Sequence, residues 1–428
     1  MRPEPNFPVR PDEFVGRRQQ IEAFREALQQ GLAAGRTSSF AILGDWGIGK
    51  SSLLLKFAAV CAEPAFAFLP ILFSASTDIH DYMRLAESLL DKFGDALLAM
   101  PNLEARLRAE LRNWKLKRLN FGAVGLERQS SRLFLSTGSS LLRYTLKEAW
   151  DHFFRPAQLN GAIFFVDDLQ NITGIGKSEL ARTIRDQFQS LGVEGMNYSI
   201  CFSAKSDYFA ETKALAEPAV RFYTKVYLEP FTFEETIEYT RSVFSTSPDT
   251  TMIIAAWLHE KTLGHPYFLA FVCKHLSAPE NQIQPRQLEA IWPAIFDQLG
   301  REKFRSDISQ LSAQDRVLVR EFASLGESEI PAHHLTGKIH RQYMARLLEK
   351  GLLVRTGRGR TSCITHFFAS SSGKQNEAEQ LQKRKRSRRN AAASLPPHSG
   401  SPFPFDNYRA DSIPLAVPPL NQSPLAIR

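Results

Sequence analysis

Cysteine is scarce in this sequence, which has four among 428 residues. The four are far apart along the chain and stand beside apolar residues, with no paired spacing. That distribution excludes a disulfide framework and a cysteine-based metal or redox centre. We therefore expect reduced thiols in apolar surroundings at Cys61, Cys201, Cys273 and Cys363.

Long apolar runs are also absent. The longest weakly charged stretch, Phe57–Thr77, contains Glu63 and two prolines, Pro64 and Pro70. A helix across a bilayer would therefore carry a charge and two helix breaks. The segment Met1–Pro11 holds four prolines and no apolar run of signal-peptide length. The sequence predicts no transmembrane segment, no membrane partner and a cytoplasmic protein.

Positive charge is concentrated in two stretches, although the whole chain has a formal charge of +8. Residues 374–428 hold nine Lys or Arg against four Asp or Glu, and residues 101–147 hold ten against three. The rest of the chain is net negative. This distribution excludes a uniformly basic nucleic-acid-binding protein, because the body of such a protein would itself be positive.

Five short apolar runs predict a buried sheet. Each is bounded by polar or turn residues and is rich in Phe, Ile, Val or Leu. Near-continuous apolar character suits strands covered on both faces, as in a parallel sheet between helices. Helical segments lie between several of the runs, so the class is α/β. The strands are Ser39–Leu43, Ala67–Phe73, Ala162–Val166, Tyr198–Phe202 and Lys225–Leu228, and the helices include Gln19–Ala33, Lys50–Cys61 and Lys177–Leu191.

Changes of pattern along the chain predict four parts. Residues 1–230 form an α/β core with a mostly helical insertion, 79–157, before the third strand. Residues 231–300 have helical periodicity alone, which predicts an all-α domain. Residues 301–368 show short helices followed by a two-stranded hairpin, the pattern of a winged-helix domain. Residues 369–428 lose the apolar period and combine a basic run with many prolines, so we expect a disordered tail.

A phosphate-binding motif follows the first predicted strand, where the segment from Gly44 to Ser51 has the pattern G-x-x-x-x-G-K-[ST]. Glycines let such a loop curl so that backbone N–H groups face phosphate oxygens, and the following helix presents its positive end to the same anion. Lys50 would bridge the β- and γ-phosphates, and the Ser51 hydroxyl would ligate Mg²⁺. The motif therefore predicts a site for ATP and Mg²⁺. Its nucleotide-binding residues are Gly44, Asp45, Trp46, Gly47, Ile48, Gly49, Lys50, Ser51 and Ser52.

The third predicted strand ends in two carboxylates, Asp167 and Asp168. Carboxylates at the carboxyl edge of a parallel sheet lie beside the loop that follows the first strand. Asp167 would hold Mg²⁺ through water, and Asp168 would orient or deprotonate the hydrolytic water. Ordinary capping of a strand end by acidic residues is the alternative interpretation. The neighbouring phosphate motif favours the functional one.

These two motifs resemble those of P-loop ATPases of the AAA+ and STAND grouping, in particular proteins similar to archaeal-type and origin-recognition-like ATPases with a C-terminal winged helix. The resemblance covers residues 12 to about 368. It implies a P-loop NTPase core, a helical lid at 231–300, and binding of ATP or ADP with Mg²⁺. It also implies a protein partner or self-association.

Two further core segments resemble landmarks of this group. Asp12–Arg17 is similar to a box that lies over the adenine, and Tyr198–Lys205 resembles the sensor-1 strand. The sensor comparison implies that Ser203 or Lys205 approaches the γ-phosphate. The box comparison implies contacts with the base by Phe14, Val15, Gly16 and Arg17.

Two segments resemble parts of the lid in the same group. Leu228–Glu235 is similar to the hinge into the lid. Gly264–Pro266 resembles the lid element whose proline, here Pro266, packs on the base. His265 stands where many AAA+ enzymes place the sensor-2 arginine, and a histidine is neutral or charged near pH 7. This departure argues against fast turnover.

Arg221 has two interpretations. It lies seven residues before Leu228 and would act as an arginine finger on a neighbour's nucleotide, because such a residue stabilises transition-state charge. A solvated helix end or a local ion pair is the alternative.

The predicted winged helix carries arginines on its third helix, about Ile339–Glu349, and on its glycine-rich turn. DNA is a possible partner there, because arginines on a recognition helix and wing contact phosphates or the minor groove. Winged helices of STAND proteins are also protein-contact or regulatory modules, so both interpretations stay open. The residues are His340, Arg341, Arg346, Arg355, Arg358 and Arg360.

Three functional hypotheses follow. The first is an ATP-binding, Mg²⁺-dependent ATPase whose nucleotide state changes the angle between core, lid and winged helix. The second is a nucleotide-gated signalling or scaffold protein that hydrolyses slowly, which co-purified ADP with negligible turnover would favour. The third is a DNA-binding initiator or transposition-helper ATPase, which DNA-stimulated hydrolysis would favour.

Overall fold

A computed structural model of the chain describes residues 1–100, 105–112, 138–209, 217–276, 285–304, 308–324, 330–331, 347–348, 353–357 and 360–363. The chain divides into two compact units, Met1–Ser371 and Ser372–Arg428. The second unit lies outside the described residues, as does the predicted tail. The architecture below is that of the first unit.

Five strands form one sheet, and all of its paired strands are parallel. The strands are β1 (Ser39–Leu43), β2 (Phe68–Ser74), β3 (Gly161–Asp167), β4 (Tyr198–Ala204) and β5 (Tyr223–Tyr227). Their order across the sheet is β2–β3–β4–β1–β5. The predicted α/β class with a five-stranded parallel sheet is confirmed.

β5 differs from its prediction, because it begins at Tyr223 rather than at Lys225. Among the described residues it is an edge strand, paired with β1 alone. Thr224 and Lys225 are exposed on it. An edge strand needs no continuous apolar run, so its start carries no apolar signal in the sequence.

Helices cover both faces of the sheet. Phe164 and Phe165, adjacent on β3, belong to two different apolar clusters, because successive side chains of a strand point to opposite faces. Phe164 lies 6.0 Å from the ring of Phe93, and Phe165 lies 6.5 Å from that of Phe24. The helices of this part are α1 (Arg18–Ala34), α2 (Lys50–Cys61), α3 (Tyr82–Leu98), α4 (105–112), α5 (Gly138–Ala149), α6 (Lys177–Val193) and α7 (Glu217–Arg221).

The segment predicted as a helical insertion contributes α3, α4 and α5, and a π-helical turn, Trp150–Phe154, leads back toward β3. α5 begins against α3 at a close approach: a Cβ on Gly138 would lie 2.1 Å from the carbonyl oxygen of Tyr82. Only glycine fits there without a shift of the backbone. The boundaries 79–157 stay a prediction.

Three buried thiols lie in these apolar surroundings. Cys61, Cys201 and Cys273 are all buried. Burial raises the pKa of each thiol, which disfavours the reactive thiolate. The side chain of Cys363 lies outside the described residues.

A helical part follows β5. It contains α8 (Phe233–Val243), α9 (Pro248–Thr262), α10 (Pro266–Leu276) and α11 (Leu288–Leu299), followed by a π-helical turn, Gly300–Phe304. Its own apolar cluster includes Phe268, Phe271 and Phe304. We refer to residues 231–300 as the lid, in keeping with the expectation above; the domain boundaries themselves stay a prediction.

The C-terminal part of the described chain contains α12 (Ala313–Ser324) and a small antiparallel sheet of β6 (Ile330–Pro331), β7 (Leu353–Gly357) and β8 (Arg360–Cys363) in the order β6–β8–β7. Most of the predicted third helix, Ile339–Glu349, lies outside the described residues, as do the side chains of the predicted DNA-contacting arginines. The winged-helix assignment stays a prediction. Within the described ranges we find no helix with both the length and the apolar content to cross a bilayer.

Candidate nucleotide-binding site

The loop between β1 and α2 has the backbone that phosphate binding requires. Gly47 and Gly49 have left-handed φ angles of 69° and 96°, which residues with a Cβ adopt only under strain. α2 then begins at Lys50 without a side-chain cap and without an acidic residue in its first turn. No carboxylate of that first turn offsets the positive helix end, so the end is suited to an anion.

Lys50 lies among carboxylates at this edge of the sheet. Its Nζ donates to the main-chain carbonyl of Asp45 at 2.9 Å. Burial lowers the pKa of the Lys50 ammonium. The negative charges of Asp168, Asp45 and Asp167 oppose this lowering, and the positive charge of Lys205 adds to it. The P-loop lysine and the acidic end of β3 are therefore neighbours.

Ser203, at the end of β4, joins the two acidic residues. Its buried hydroxyl donates to Oδ1 of Asp167 at 2.5 Å. Oγ of Ser203 also accepts a hydrogen bond from the main-chain N–H of Asp168 at 2.8 Å. The Ser203 hydroxyl therefore orients the acidic pair, and the approach of Ser203 or Lys205 to the γ-phosphate stays a prediction.

Asp168 has a left-handed backbone, with φ 53° and ψ 50°. Its Oδ1 accepts a hydrogen bond from Nε2 of Gln170 at 2.9 Å. Gln170 is therefore a site residue that the motif does not reveal. A side-chain amide two residues after the acid, on the turn that follows the strand, is the signal that would have found it.

Ser206 is a second such residue. Its hydroxyl donates to Oδ1 of Asp45 at 2.6 Å, so the segment after β4 is tied to the P-loop. On the helix side of the motif, Oγ of Ser52 accepts the main-chain N–H of Val9 at 3.1 Å. Both ends of the motif are thus held by residues distant in sequence.

Arg17, the last residue of the N-terminal box, is directed into the hinge between core and lid. Its buried guanidinium donates to the carbonyl of Glu229 at 2.5 Å and to that of Ile48 in the P-loop at 3.4 Å. It lies 4.8 Å from the ring centre of Phe231 and 4.0 Å from the carboxylate of Glu235. Burial lowers its pKa, and the two glutamates oppose that shift. We call these five residues the hinge network.

The backbone of the box is bound by the same glutamate. Oε1 of Glu235 accepts the main-chain N–H of Arg17 at 2.7 Å. Oε2 accepts the N–H of Thr232, which completes a capping box at the start of α8. A Cβ on Gly16 would lie 3.0 Å from Oε1, and Gly16 has a φ of 76°.

The two preceding residues of the box pack in different places. Phe14 packs against the apolar cluster of the core, and Val15 packs against that of the lid. The predicted contacts of the box with adenine are untested by this arrangement and stay a prediction.

His265 contacts the P-loop directly. Its Nε2 lies 3.1 Å from the carbonyl oxygen of Trp46, so Nε2 carries the proton and donates. Burial, opposed by the hydrogen bond to Trp46, lowers the pKa of His265 to about 3, and the charges of Lys303, Lys50 and Arg17 lower it further. The ring is therefore neutral at pH 7. Of the two states expected from the sequence, neutral or charged, the buried ring is in the neutral one; its place at a sensor-2 position stays a prediction.

The lid element continues along the loop. Pro266 is the first residue of α10. The main-chain N–H of Tyr267 donates to the carbonyl of Gly47 at 3.2 Å. A Cβ on Gly47 would lie 2.9 Å from atoms of both His265 and Tyr267, so glycine is required there for the lid as well as for the loop.

The neutral state of His265 predicts a loss of stability in acid. An unfolded histidine has a pKa near 6.5, so His265 contributes fully above about pH 6.5 and loses its contribution as the pH falls toward about 3. His265→Gln keeps an N–H donor, and it should reduce the slope of the free energy of unfolding against pH by at most ~1.4 kcal/mol per pH unit. Urea unfolding between pH 7 and pH 4 measures it, with the exposed His80→Gln as control. Equal slopes in wild type and His265→Gln would contradict the assignment.

Arg221 lies at the far end of the sheet from its own P-loop. It precedes Tyr223, which pairs with Ser39 at the start of β1, whereas the P-loop follows the end of β1. Its side chain is exposed. Arg221 thus does not join the site of its own chain, and its role toward a neighbour's nucleotide stays a prediction.

The donor set fits a magnesium nucleotide. Ser51 follows Lys50 on α2, and Asp167 and Asp168 supply carboxylate oxygens near Lys50. Mg²⁺ prefers such oxygen ligands and is usually held by one or two carboxylates together with substrate phosphates. The described residues contain no group of three or more His, Cys, Asp or Glu able to hold a metal alone.

Comparisons with known proteins agree with this geometry. Residues 13–173 match the family model described as the AAA ATPase domain. The solved ORC2 protein of Aeropyrum pernix, in its ADPNP–ADP complexes, is similar with a TM-score of 0.53 at 13% identity, over 84% of this chain and 92% of that chain. No curated protein matches the chain in sequence.

Two further solved structures are similar at lower scores. The Walker-type ATPase PABY2304 of Pyrococcus abyssi has a TM-score of 0.47 at 17% identity, over 83% of this chain and 95% of that chain. The RuvB branch migration motor of Thermotoga maritima has a TM-score of 0.38 at 14% identity, over 85% and 97%. The P-loop and the acidic pair both lie within the residues 13–173 that match the AAA ATPase domain model, and this match supports ATP binding and hydrolysis. The likeness to the Aeropyrum pernix structure shows the fold, an α/β P-loop NTPase fold.

Proposed function

We propose that the chain binds ATP with Mg²⁺, hydrolyses it, and uses the bound nucleotide to set the position of the lid. The observation that carries the proposal is the direct contact between lid and P-loop. His265 and Tyr267 donate hydrogen bonds to the carbonyl groups of Trp46 and Gly47. The peptide groups that would surround the phosphates are therefore the same ones that the lid contacts.

The nucleotide would be held by both ends of the motif. Lys50 would bind the β- and γ-phosphates, and the N–H groups of the loop would bind phosphate oxygens. Ser51 would ligate Mg²⁺ directly, and Asp167 would do so through water. When bound, Mg²⁺ neutralises charge on the phosphate oxygens. Phe14, Val15 and Pro266 are the residues proposed to contact the base.

Asp168 would orient or deprotonate the attacking water. Gln170 holds Oδ1, and Ser203 holds the main-chain N–H. Oδ2 is then the atom toward which a water would donate. Lys205 would approach the γ-phosphate, and Arg221 would act on a neighbour's nucleotide.

A phosphate-release assay on the purified full chain tests the proposal. We expect release from ATP in Mg²⁺ and none in EDTA, and saturable binding of ATP and ADP by isothermal titration calorimetry. No binding of either nucleotide would contradict the proposal.

One observation favours slow hydrolysis of ATP. The neutral ring of His265 brings no cation to the position where many AAA+ enzymes place an arginine. A slow switch would retain ADP through purification, which can be measured by chromatography of the denatured protein. DNA contact stays a prediction, and a rise of phosphate release on addition of duplex DNA would support it.

A further inference from the structure

Trp46, in the middle of the P-loop, has its side chain among residues of the lid and of the turn that follows α11. Its ring lies 4.4 Å from that of Tyr267 and 6.4 Å from that of His265, nearly parallel to the latter. Nζ of Lys303 lies 3.5 Å from the centre of the Trp46 ring. A large aromatic ring is not needed for phosphate binding, because that position of the motif accepts any residue.

The main chain of the same residues is bound from the same side. The carbonyl of Trp46 accepts from Nε2 of His265, and that of Gly47 accepts from the N–H of Tyr267. In a curled phosphate loop the N–H groups face the anion and the carbonyl groups face away from it. The lid therefore binds the outer surface of the loop in the conformation whose inner surface binds phosphate.

We propose that Trp46 is a positioning residue that couples phosphate binding in the P-loop to the position of the lid and of the turn Gly300–Phe304. The inference rests on the proposed function and names the residues of its regulation. Trp46 and Lys303 hold the lid against the P-loop in its curled conformation. Contacts that stabilise this conformation also favour nucleotide binding, because the same conformation binds phosphate. Coupling between two equilibria is reciprocal, so bound nucleotide in turn favours closure of the lid.

The contact with Lys303 extends the coupling beyond the lid. Lys303 belongs to the π-helical turn after α11, and the neighbouring Phe304 is fully buried in the apolar cluster of the lid. A cation held over an indole ring contributes an attraction that depends on both groups. A shift of the P-loop would therefore be transmitted to this turn as well as to α10.

Nucleotide-dependent hydrogen exchange of the lid tests the inference. In wild type we expect Mg²⁺–ADP to slow exchange in residues 263–276. Trp46→Ala should bind ADP about tenfold more weakly, within the usual range of coupling between sites, and should lose the nucleotide-dependent slowing. Trp46→Phe keeps an aromatic ring against Tyr267 and should recover much of both.

Two further variants separate coupling from folding. Lys303→Ala leaves the P-loop sequence intact and should weaken ADP binding about threefold, whereas Lys303→Arg should bind as wild type does. Trp292→Phe, which alters a tryptophan that packs on Trp257 within the lid, is the matched control and should change neither measurement.

The failure of this inference differs from that of the proposed function. If wild type binds no nucleotide, the proposed function fails. If wild type binds ADP and both Trp46→Ala and Lys303→Ala keep its affinity and its lid protection, Trp46 only fills space and the inference is wrong. A folded Lys303→Ala variant decides the matter even where Trp46→Ala fails to fold.

Discussion

Replacing Lys50 by alanine should reduce ATP affinity by about 10²–10⁴-fold, to below detection in most assays. Two charge-assisted hydrogen bonds to phosphate, each of about 1.5–3 kcal/mol, would be lost together. Isothermal titration calorimetry with Mg²⁺–ATP measures the effect. The matched control is Lys56→Ala, because Lys56 lies on the same helix and donates to the carbonyl of Pro11 instead.

The same variant should not lose stability. Burial lowers the pKa of Lys50, so the folded chain holds the charged form less favourably than the unfolded chain does at pH 7. Removing the ammonium therefore removes the unfavourable free energy of burying its charge, and the melting temperature should stay the same or rise.

Equal ATP affinity in Lys50→Ala and wild type would show that this loop is not the phosphate site.

Asp168→Asn should lower the rate of hydrolysis by about 10²–10⁴-fold while leaving Mg²⁺–ATP binding intact, because a positioned acid–base group contributes on that order. The substitution keeps the shape of the side chain and an oxygen that can accept from Gln170, and the main-chain bond to Ser203 is unaffected. Single-turnover measurements with excess protein separate hydrolysis from nucleotide exchange.

The control for this variant is Asp186→Asn, the same chemical change at a half-exposed carboxylate that bonds Arg185 on α6. It should hydrolyse ATP as wild type does. Hydrolysis by Asp168→Asn within about threefold of wild type would move the base role to another residue and leave Asp168 as a structural turn residue.

The phosphate motif and the sheet could be predicted from the sequence because their signals are local. Gly44, Gly49 and Lys50 lie within seven consecutive residues, so their spacing can be read directly from the sequence. Four of the strands are continuous apolar runs. The run Lys225–Leu228 identifies the fifth strand but not where it begins, because Thr224 and Lys225 are exposed on this edge strand.

The hinge network could not be predicted in the same way. Arg17 and Glu235 are 218 residues apart in the chain, and no period or spacing relates them. The contact of Arg17 with the base stays a prediction from the resemblance, and the hydrogen bond of its guanidinium to the main-chain carbonyl of Glu229 carries no signal in the sequence. The neutrality of His265 likewise arises from burial between α10 and the P-loop, a property of packing that a sequence motif does not carry.

The single carboxylate of Glu235 has a practical consequence for measuring motion. Because it caps α8 and also binds the backbone of Arg17, the N-terminal box and the first turn of α8 should travel together as one rigid piece. Arg18 on α1 and Glu238 on α8 form an ion pair as well, so spectroscopic labels placed at other positions of these two helices should report a constant distance in every nucleotide state. A label on α2 paired with one on α10 would span the contact between P-loop and lid, where the proposed function predicts a distance that changes with the nucleotide.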